Sequence, residues 1–285
     1  MSRWDSAEFT EELRHASWMA AVPVLMYLNE RATGDPAREW LSGWARRYFI
    51  GDDLRVLVVG CGEGWLERLI SEWPFIRAID AFDAAEASVE RARARGGPKI
   101  RYAVADLNSA ALDADVYDVV IAHSILHHLD NLEHVFDQIE RAMRPEAVLI
   151  VNEYVGPNRF QFSDDVLWAM NELLDALPPE LRRGTVEQRV YERRQRPTVD
   201  AMIESDPTEA VRAEDLLPML HERFRILEEK KLGGTILMHL LYDIVQNFRW
   251  EQPHERGYLE MLCALEGALA DAGAIGSDFV LLAAR

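Results

Sequence analysis

The sequence predicts an α/β fold built on a parallel sheet, from three observations. The run Leu54-Arg55-Val56-Leu57-Val58-Val59 is short, apolar and β-branched, as a strand covered on both faces reads. It stops at Gly60, Gly62 and Gly64 and passes at once into an amphipathic segment. Such glycines serve a sharp strand-to-helix turn and let a ligand lie against bare backbone. From Leu54 to Tyr154, strand-like and helix-like stretches then alternate at the lengths of right-handed βαβ crossovers.

Taken in order, residues 6–32 read as helix, with Ser6 as N-cap and Pro23 forcing a break or kink. Trp18, Val22, Leu25 and Leu28 recur at spacings of three and four, an apolar stripe suited to packing on a domain. Asp35-Pro36 has the N-cap and N1 pattern and opens a helix to about Phe49. Strands are expected at 54–59, 76–82, 99–105, 116–122 and 147–154, with helices at 64–73, 84–95 and 131–143 between them. Residues 160–222 insert several helices, bounded by Ser163 and Glu214-Asp215 and interrupted at Pro178-Pro179. A strand at 224–231, a helix at 235–248 opened by Gly233-Gly234, a helix at 255–271 and a strand at 277–284 complete the chain. The expected division is an N-terminal helical cap at 1–50, a ligand-binding core at 51–158, a helical insertion or substrate lid at 159–222, and completion of the core at 223–285.

Composition narrows the function. A chain of 285 residues with 49% hydrophobic content suits one large α/β domain with additions. No apolar run is long enough to span a membrane, and the first residues lack the apolar core of a secretion signal. Cys61 and Cys263 suggest no disulfide framework, so a cytoplasmic location is expected. A net charge of −18 argues against nucleic acid, which needs clustered basic residues. The Arg-rich stretch from Glu187 to Arg196 is interleaved with glutamates and reads as a solvated helix face or lid. A homodimer is compatible with all of this and is not required by it.

The glycine spacing discriminates between ligands. A dinucleotide fingerprint would place its last glycine where Trp65 stands. Asp83 ends the second strand 23 residues after Gly60, near the offset at which an acid grips ribose hydroxyls, with Asp80 as competitor. A plain glycine turn without ligand, and a simple helix N-cap role for Asp83, are the structural alternatives.

Val56-Leu57-Val58-Val59-Gly60-Cys61-Gly62-Glu63-Gly64 resembles motif I of the class I S-adenosyl-L-methionine (SAM)-dependent methyltransferases, except that Val58 stands where the family usually carries an acid. Val104-Ala105-Asp106-Leu107-Asn108 resembles the family's third SAM motif, and Tyr117 to Leu129 its motif IV region. Arg141 to Val151 resembles the turn before its fifth strand, with Glu146-Ala147 in place of the usual glycines. Glu153-Tyr154-Val155-Gly156-Pro157 and the extra helices look like a bacterial branch of type 11/12. The resemblance implies a Rossmann-like seven-stranded sheet of order 3-2-1-4-5-7-6 and SAM as cofactor, with S-adenosyl-L-homocysteine as product. It implies that Gly60, Cys61, Gly62 and Gly64 cradle SAM and that Asp83 holds its ribose, a choice over Asp80 that Ala92-Arg93 favours. Asp106 would accept from the adenine amino group, the Leu107 N–H would meet a ring nitrogen, and His123 would lie against the cofactor.

His127, His128 and His123 are the candidates for general base or acceptor anchor, because imidazole titrates near neutrality and the ends of the strands form the ligand rim. Glu153 and Tyr154, at the end of the fifth strand, are candidates for substrate contact or proton removal in support of them, the alternative being an ordinary strand end with both side chains solvated. A histidine that merely packs against the cofactor is the alternative. His221, His239 and His254 are scattered without metal-ligand spacing, and no metal is assigned. His239 and Tyr242 would share a helix face and either line the substrate cavity or pack in a core. The Asn/Asp-Pro-Pro-Tyr signature is absent after the fourth strand, where Ala122-His123-Ser124-Ile125 stands, which disfavours nucleobase and planar-amide nitrogens. Methyl transfer to O or N of a small molecule, such as a bacterial secondary metabolite or a sugar, is the leading reading. A SAM-binding enzyme of a non-methyl-transfer step and a nicotinamide oxidoreductase are the other two.

Overall fold

A computed structural model describes residues 16–285; Ser6 and positions 6–15 of the expected first helix lie outside the described residues. Two helices, α1 (Val22–Thr33) and α2 (Trp40–Tyr48), precede the sheet. Then β1 (Leu54–Val59), α3 (Trp65–Ser71), β2 (Ile76–Asp83), α4 (Glu86–Arg95), β3 (Ile100–Val104), β4 (Tyr117–His123), α5 (Leu132–Ala142) and β5 (Met143–Tyr154) follow in the expected alternation. The insertion carries α6 (Asp164–Ala176), α7 (Val199–Ser205) and α8 (Ala213–Arg223). The chain closes with β6 (Ile226–Gly233), α9 (Leu237–Leu241), α10 (Pro253–Asp271) and β7 (Phe279–Ala284).

The seven strands lie in the order β3-β2-β1-β4-β5-β7-β6, as expected. β1 to β5 run parallel, and β7 enters antiparallel between β5 and β6. Strand alternation sends Val56, Val58, Ile121, Ile150 and Leu281 to one face, against Trp44 of α2, Leu66 and Ile70 of α3 and Val89 of α4. Leu57, Val59, Val120, Leu149 and Leu282 point to the other, against Phe136 and Ile139 of α5 and Leu216 and Leu220 of α8. A third apolar cluster joins Trp18 and Val24, Met170 and Leu174 of α6, Leu237 and Leu240 of α9, and Leu262 of α10. Segments far apart in sequence therefore share one helical core beside the sheet. Among the described residues no helix is long and apolar enough to cross a membrane.

The break expected at Pro23 is present: Ala21 is extended between a 3-10 turn at Trp18–Ala20 and α1, and Pro23 lies in the first turn of α1, where its missing N–H costs no hydrogen bond. Three local expectations change. Asp35 closes a turn on the Ala37 N–H at 3.0 Å, and α2 begins only at Trp40, with Glu39 capping the Ser42 N–H. The 235–248 helix stops at Leu241, and Asp243 has φ +61°. Its carboxylate accepts from the Val186 N–H, the Thr185 hydroxyl and the Tyr191 hydroxyl, which a continuous helix would not allow. The 187–196 stretch forms no helix: Arg194 is buried, stacks 4.0 Å over Tyr191, and donates to the carbonyls of Leu240 and Tyr242 at the end of α9. Those carbonyls would otherwise be orphaned, so this arginine acts as a helix cap.

Candidate active site

The turn after β1 is shaped by three glycines with positive φ, at +74° (Gly60), +48° (Gly62) and +75° (Gly64). A Cβ at Gly60 would lie 2.2 Å from Ile125, and one at Gly64 would lie 2.3 Å from the Tyr102 hydroxyl, so the chain's own side chains exclude both. A Cβ at Gly62 would meet nothing within 4 Å. The expectation that a ligand dictates all three glycines therefore narrows to Gly62, the one whose bare backbone faces open space. Asp83, at the end of β2, accepts the Gly62 N–H at 2.8 Å and the Ala85 N–H at 2.9 Å. Glu63 ties the turn to α4 through Arg91 at 2.9 Å and Arg95 at 3.1 Å. Cys61 is buried, and burial pushes its thiol pKa far upward, so it serves as backbone rather than nucleophile.

Asp80, the competitor of Asp83, is spent on Arg55, Arg101 and Tyr117 at 2.7–3.1 Å. Val58 is buried and pairs Ala81 and Ile121, so the family's acidic position is core here. Asp106 is exposed just past β3, where its carboxylate accepts the Asn108 N–H at 2.9 Å, while Leu107 is buried behind it.

At the end of β4, the His123 ring sits between Trp40 (5.4 Å between centroids) and Trp65 (5.6 Å, edge-on). Its Nδ1 is buried with no hydrogen-bond partner among the described residues, and burial lowers its pKa. Ser124 turns the chain with φ +53° into a 3-10 turn at Leu126–His128. Glu153, 0% exposed at the end of β5, organises that turn. One of its oxygens accepts the N–H groups of Ile125 (2.5 Å) and Leu126 (2.8 Å), and the other holds His127 Nδ1 at 2.7 Å. Burial alone would lower the His127 pKa, but the Glu153 charge and hydrogen bond, aided by Glu209 and Asp206, outweigh it and the net shift is upward. The neighbouring His128 is pushed down by burial and by His127. Its Nδ1 meets the Thr208 hydroxyl at 3.1 Å, and that hydroxyl donates to Asp206 at 2.7 Å.

Tyr154 is reassigned in kind. Its hydroxyl donates to the Pro157 carbonyl at 2.9 Å, burial pushes its pKa far up, and its ring stands edge-on to His127 and Phe160. It supports His127 as a packed wall, with its polar end turned to backbone.

Sequence reasoning missed Glu209, Thr208 and Asp206. Glu209 Oε1 lies 3.5 Å from His127 Nε2. Burial raises the Glu209 pKa, against the pull of His127. Arg159 clamps the loop by donating to the carbonyls of Pro207 (2.8 Å) and Glu209 (2.9 Å), and the Val211 N–H donates to the His127 carbonyl at 3.1 Å. One ligand atom from each of His127, His128 and Glu209 lies within 4.8 Å of the others. Some 80 residues separate the two segments, so no local spacing reveals the grouping. His239 packs on Phe160 and Phe162, Tyr242 is half-exposed beyond the end of α9, and His221 pairs with Glu229. None of these three joins the His127 cluster.

Residues 57–151 match the family model described as a methyltransferase domain. A malonyl-[acyl-carrier protein] O-methyltransferase of Bacillus cytotoxicus is 29% identical over 144 residues, 50% of this chain and 49% of that protein. An uncharacterized methyltransferase of Mycobacterium bovis is 32% identical over 104 residues, 36% of this chain and 52% of that protein. The chain thus spans about half the length of the curated relatives it matches. A crystal structure of a S-adenosylmethionine dependent methyltransferase from Mesorhizobium loti aligns over 86% of this chain and 96% of its own, with a TM-score of 0.50 at 18% identity, and has the same fold.

Proposed function

The core of this chain being a class I SAM-dependent methyltransferase domain, with S-adenosyl-L-homocysteine as product, we propose that the protein methylates an oxygen or nitrogen of a small molecule. The acceptor class is a secondary metabolite or a sugar-containing compound of bacterial type. The observation that carries this reading is the meeting of two groups on one rim of the sheet. Gly62 and Asp83 stand at the ends of β1 and β2, while His127 and Glu153 stand at the ends of β4 and β5.

The residues fit the cofactor. The open backbone at Gly62 can receive it, the Asp83 carboxylate can accept from ribose hydroxyls, and the exposed Asp106 can accept from the adenine amino group. The Leu107 N–H would meet a ring nitrogen. SAM supplies a methyl already activated on a sulfonium. The chain must then orient the acceptor and keep water away. Glu153 fixes the His127 ring and commits its Nδ1, which leaves Nε2, beside Glu209, as the polar group of the acceptor site. His123, Trp40 and Trp65 form an aromatic wall, and residues 159–222 act as the lid over a compact, partly apolar acceptor.

Calorimetric titration with SAM and with NAD(H), followed by assay of S-adenosyl-L-homocysteine release over a panel of hydroxyl and amine acceptors, tests the reading. SAM binding that Asp83→Ala weakens, and turnover that His127→Ala lowers, are the expected results. Binding of NAD(H) without SAM would overturn the reading. SAM binding with no methyl-group loss to any acceptor would point instead to a non-methyl-transfer step.

A further inference from the structure

His127, His128 and Glu209 form a grouping that anchoring by a single imidazole does not require. We propose that these three side chains bind one divalent transition-metal ion of the zinc type. Their ligand atoms lie within 4.8 Å of one another, on two segments that the fold holds in place. The 3-10 turn is fixed by Glu153 on the Ile125 and Leu126 N–H groups, and the Glu209 loop is clamped by Arg159. The 3.5 Å between His127 Nε2 and Glu209 Oε1 is informative. It is longer than a charge-assisted hydrogen bond, about 2.7–2.9 Å. It is close to the ~3.4 Å that separates two ligands each ~2.1 Å from a tetrahedral ion.

The hydrogen bonds around the two imidazoles point the same way. His127 gives its Nδ1 to Glu153. Thr208 donates its hydroxyl hydrogen to Asp206, so its oxygen accepts from His128 Nδ1. The His127 ring is thereby set in the tautomer whose lone pair is on Nε2, and the His128 ring is oriented by Thr208, which also offers it a backbone hydrogen bond. Carboxylate or hydroxyl partners on the far nitrogen are the usual orienting groups of metal-ligating histidines. Two imidazoles and one carboxylate suit zinc or cobalt, whereas magnesium and calcium take oxygen ligands. Three protein ligands leave a fourth position open, where an acceptor oxygen or nitrogen can sit. That last role rests on the methyl-transfer reading; binding of the ion does not.

The test is titration of chelator-treated full-length protein with Co2+ by visible absorption and with Zn2+ by calorimetry, with Mg2+ as control and no SAM present. One Co2+ per chain with bands of low coordination number is expected. His128→Ala and Glu209→Gln should each weaken it on the order of 100-fold, and Thr208→Val about 10-fold through ring orientation. Circular dichroism and SAM binding on the same samples report folding. Absence of saturable Co2+ or Zn2+ binding overturns the proposal. So does equal binding by wild type and the His128→Ala/Glu209→Gln double variant, which would put the ion elsewhere. Normal SAM heat without cobalt binding sinks the metal site alone, while cobalt binding without SAM heat sinks methyl transfer alone.

Discussion

The Glu153 carboxylate holds His127 Nδ1 at 2.7 Å from a position with no solvent exposure. Two backbone N–H groups share its other oxygen. A buried charge tolerates such enclosure only when donors surround it, and here they also fix one histidine in one tautomer.

Replacing Glu153 separates these two jobs. In Glu153→Gln the amide oxygen can still accept from Ile125 and Leu126, but the amide NH2 then faces His127 and drives the ring proton to Nε2. Methyl transfer should fall about 10²–10⁴-fold while SAM affinity stays nearly constant. Nitrogen NMR of the His127 side chain should report the switched tautomer, and an unchanged tautomer would refute the account. Glu153→Ala strands the donors and should cost about 3–5 kcal/mol in denaturant unfolding.

The three glycines of the turn should respond differently. Gly62→Ala has room for its methyl, so the folded protein should lose only about 1 kcal/mol through its positive φ while SAM binding drops sharply. Gly64→Ala must displace Tyr102 and should destabilise the fold itself by several times as much, on the order of 3 kcal/mol. Equal stability losses with equal SAM binding would contradict the assignment of Gly62 to the ligand.

Asp83→Asn tests the sugar contact. The amide oxygen can keep only one of the Gly62 and Ala85 N–H groups that the carboxylate holds, so a stability loss of about 1–3 kcal/mol should accompany the binding effect. An amide cannot accept from two hydroxyls as a carboxylate does, so SAM affinity should fall on the order of 10–100-fold. Calorimetry showing full affinity would remove Asp83 from the binding site.

Glu67 sets a pH dependence of stability. It is 0% exposed, and neither oxygen has a hydrogen-bond partner among the described residues. Burial is the main reason its pKa rises to about 8 from an ordinary 4.5. The folded state then keeps a proton that the unfolded chain has released, so this residue's contribution to stability declines as pH rises from about 4.5 to about 8. Glu67→Gln should flatten that slope and raise stability at pH 8 by on the order of 2 kcal/mol. Chemical denaturation at pH 5 and pH 8 measures it; a slope unchanged in the variant would assign the pH dependence to other groups.

The sheet was legible because its signals are local. Strands 54–59, 76–83 and 117–123 each announce themselves within a few residues, and the glycine turn and Asp83 follow from one strand end. Where contacts come from afar, reading by pattern fails. The helix at 235–248 is ended by Asp243, whose carboxylate is claimed by residues 185–191, and Arg194 turns inward to cap a helix more than forty positions later. Glu209 reaches His127 only because the inserted segment folds back over the sheet, which a pattern of apolar and polar residues does not encode. Tyr154 ends β5, as the strand pattern predicts, but the direction of its hydroxyl depends on the local turn at Pro157.

β7 is the last strand in the chain, yet it sits between β5 and β6. During synthesis, β1 to β5 can pair as they leave the ribosome, but β5 keeps an unfilled edge until residues 279–284 arrive. A stop codon or proteolytic nick shortly before Phe279 would therefore expose the flank of the strand that carries Glu153, and would invite strand exchange with another molecule.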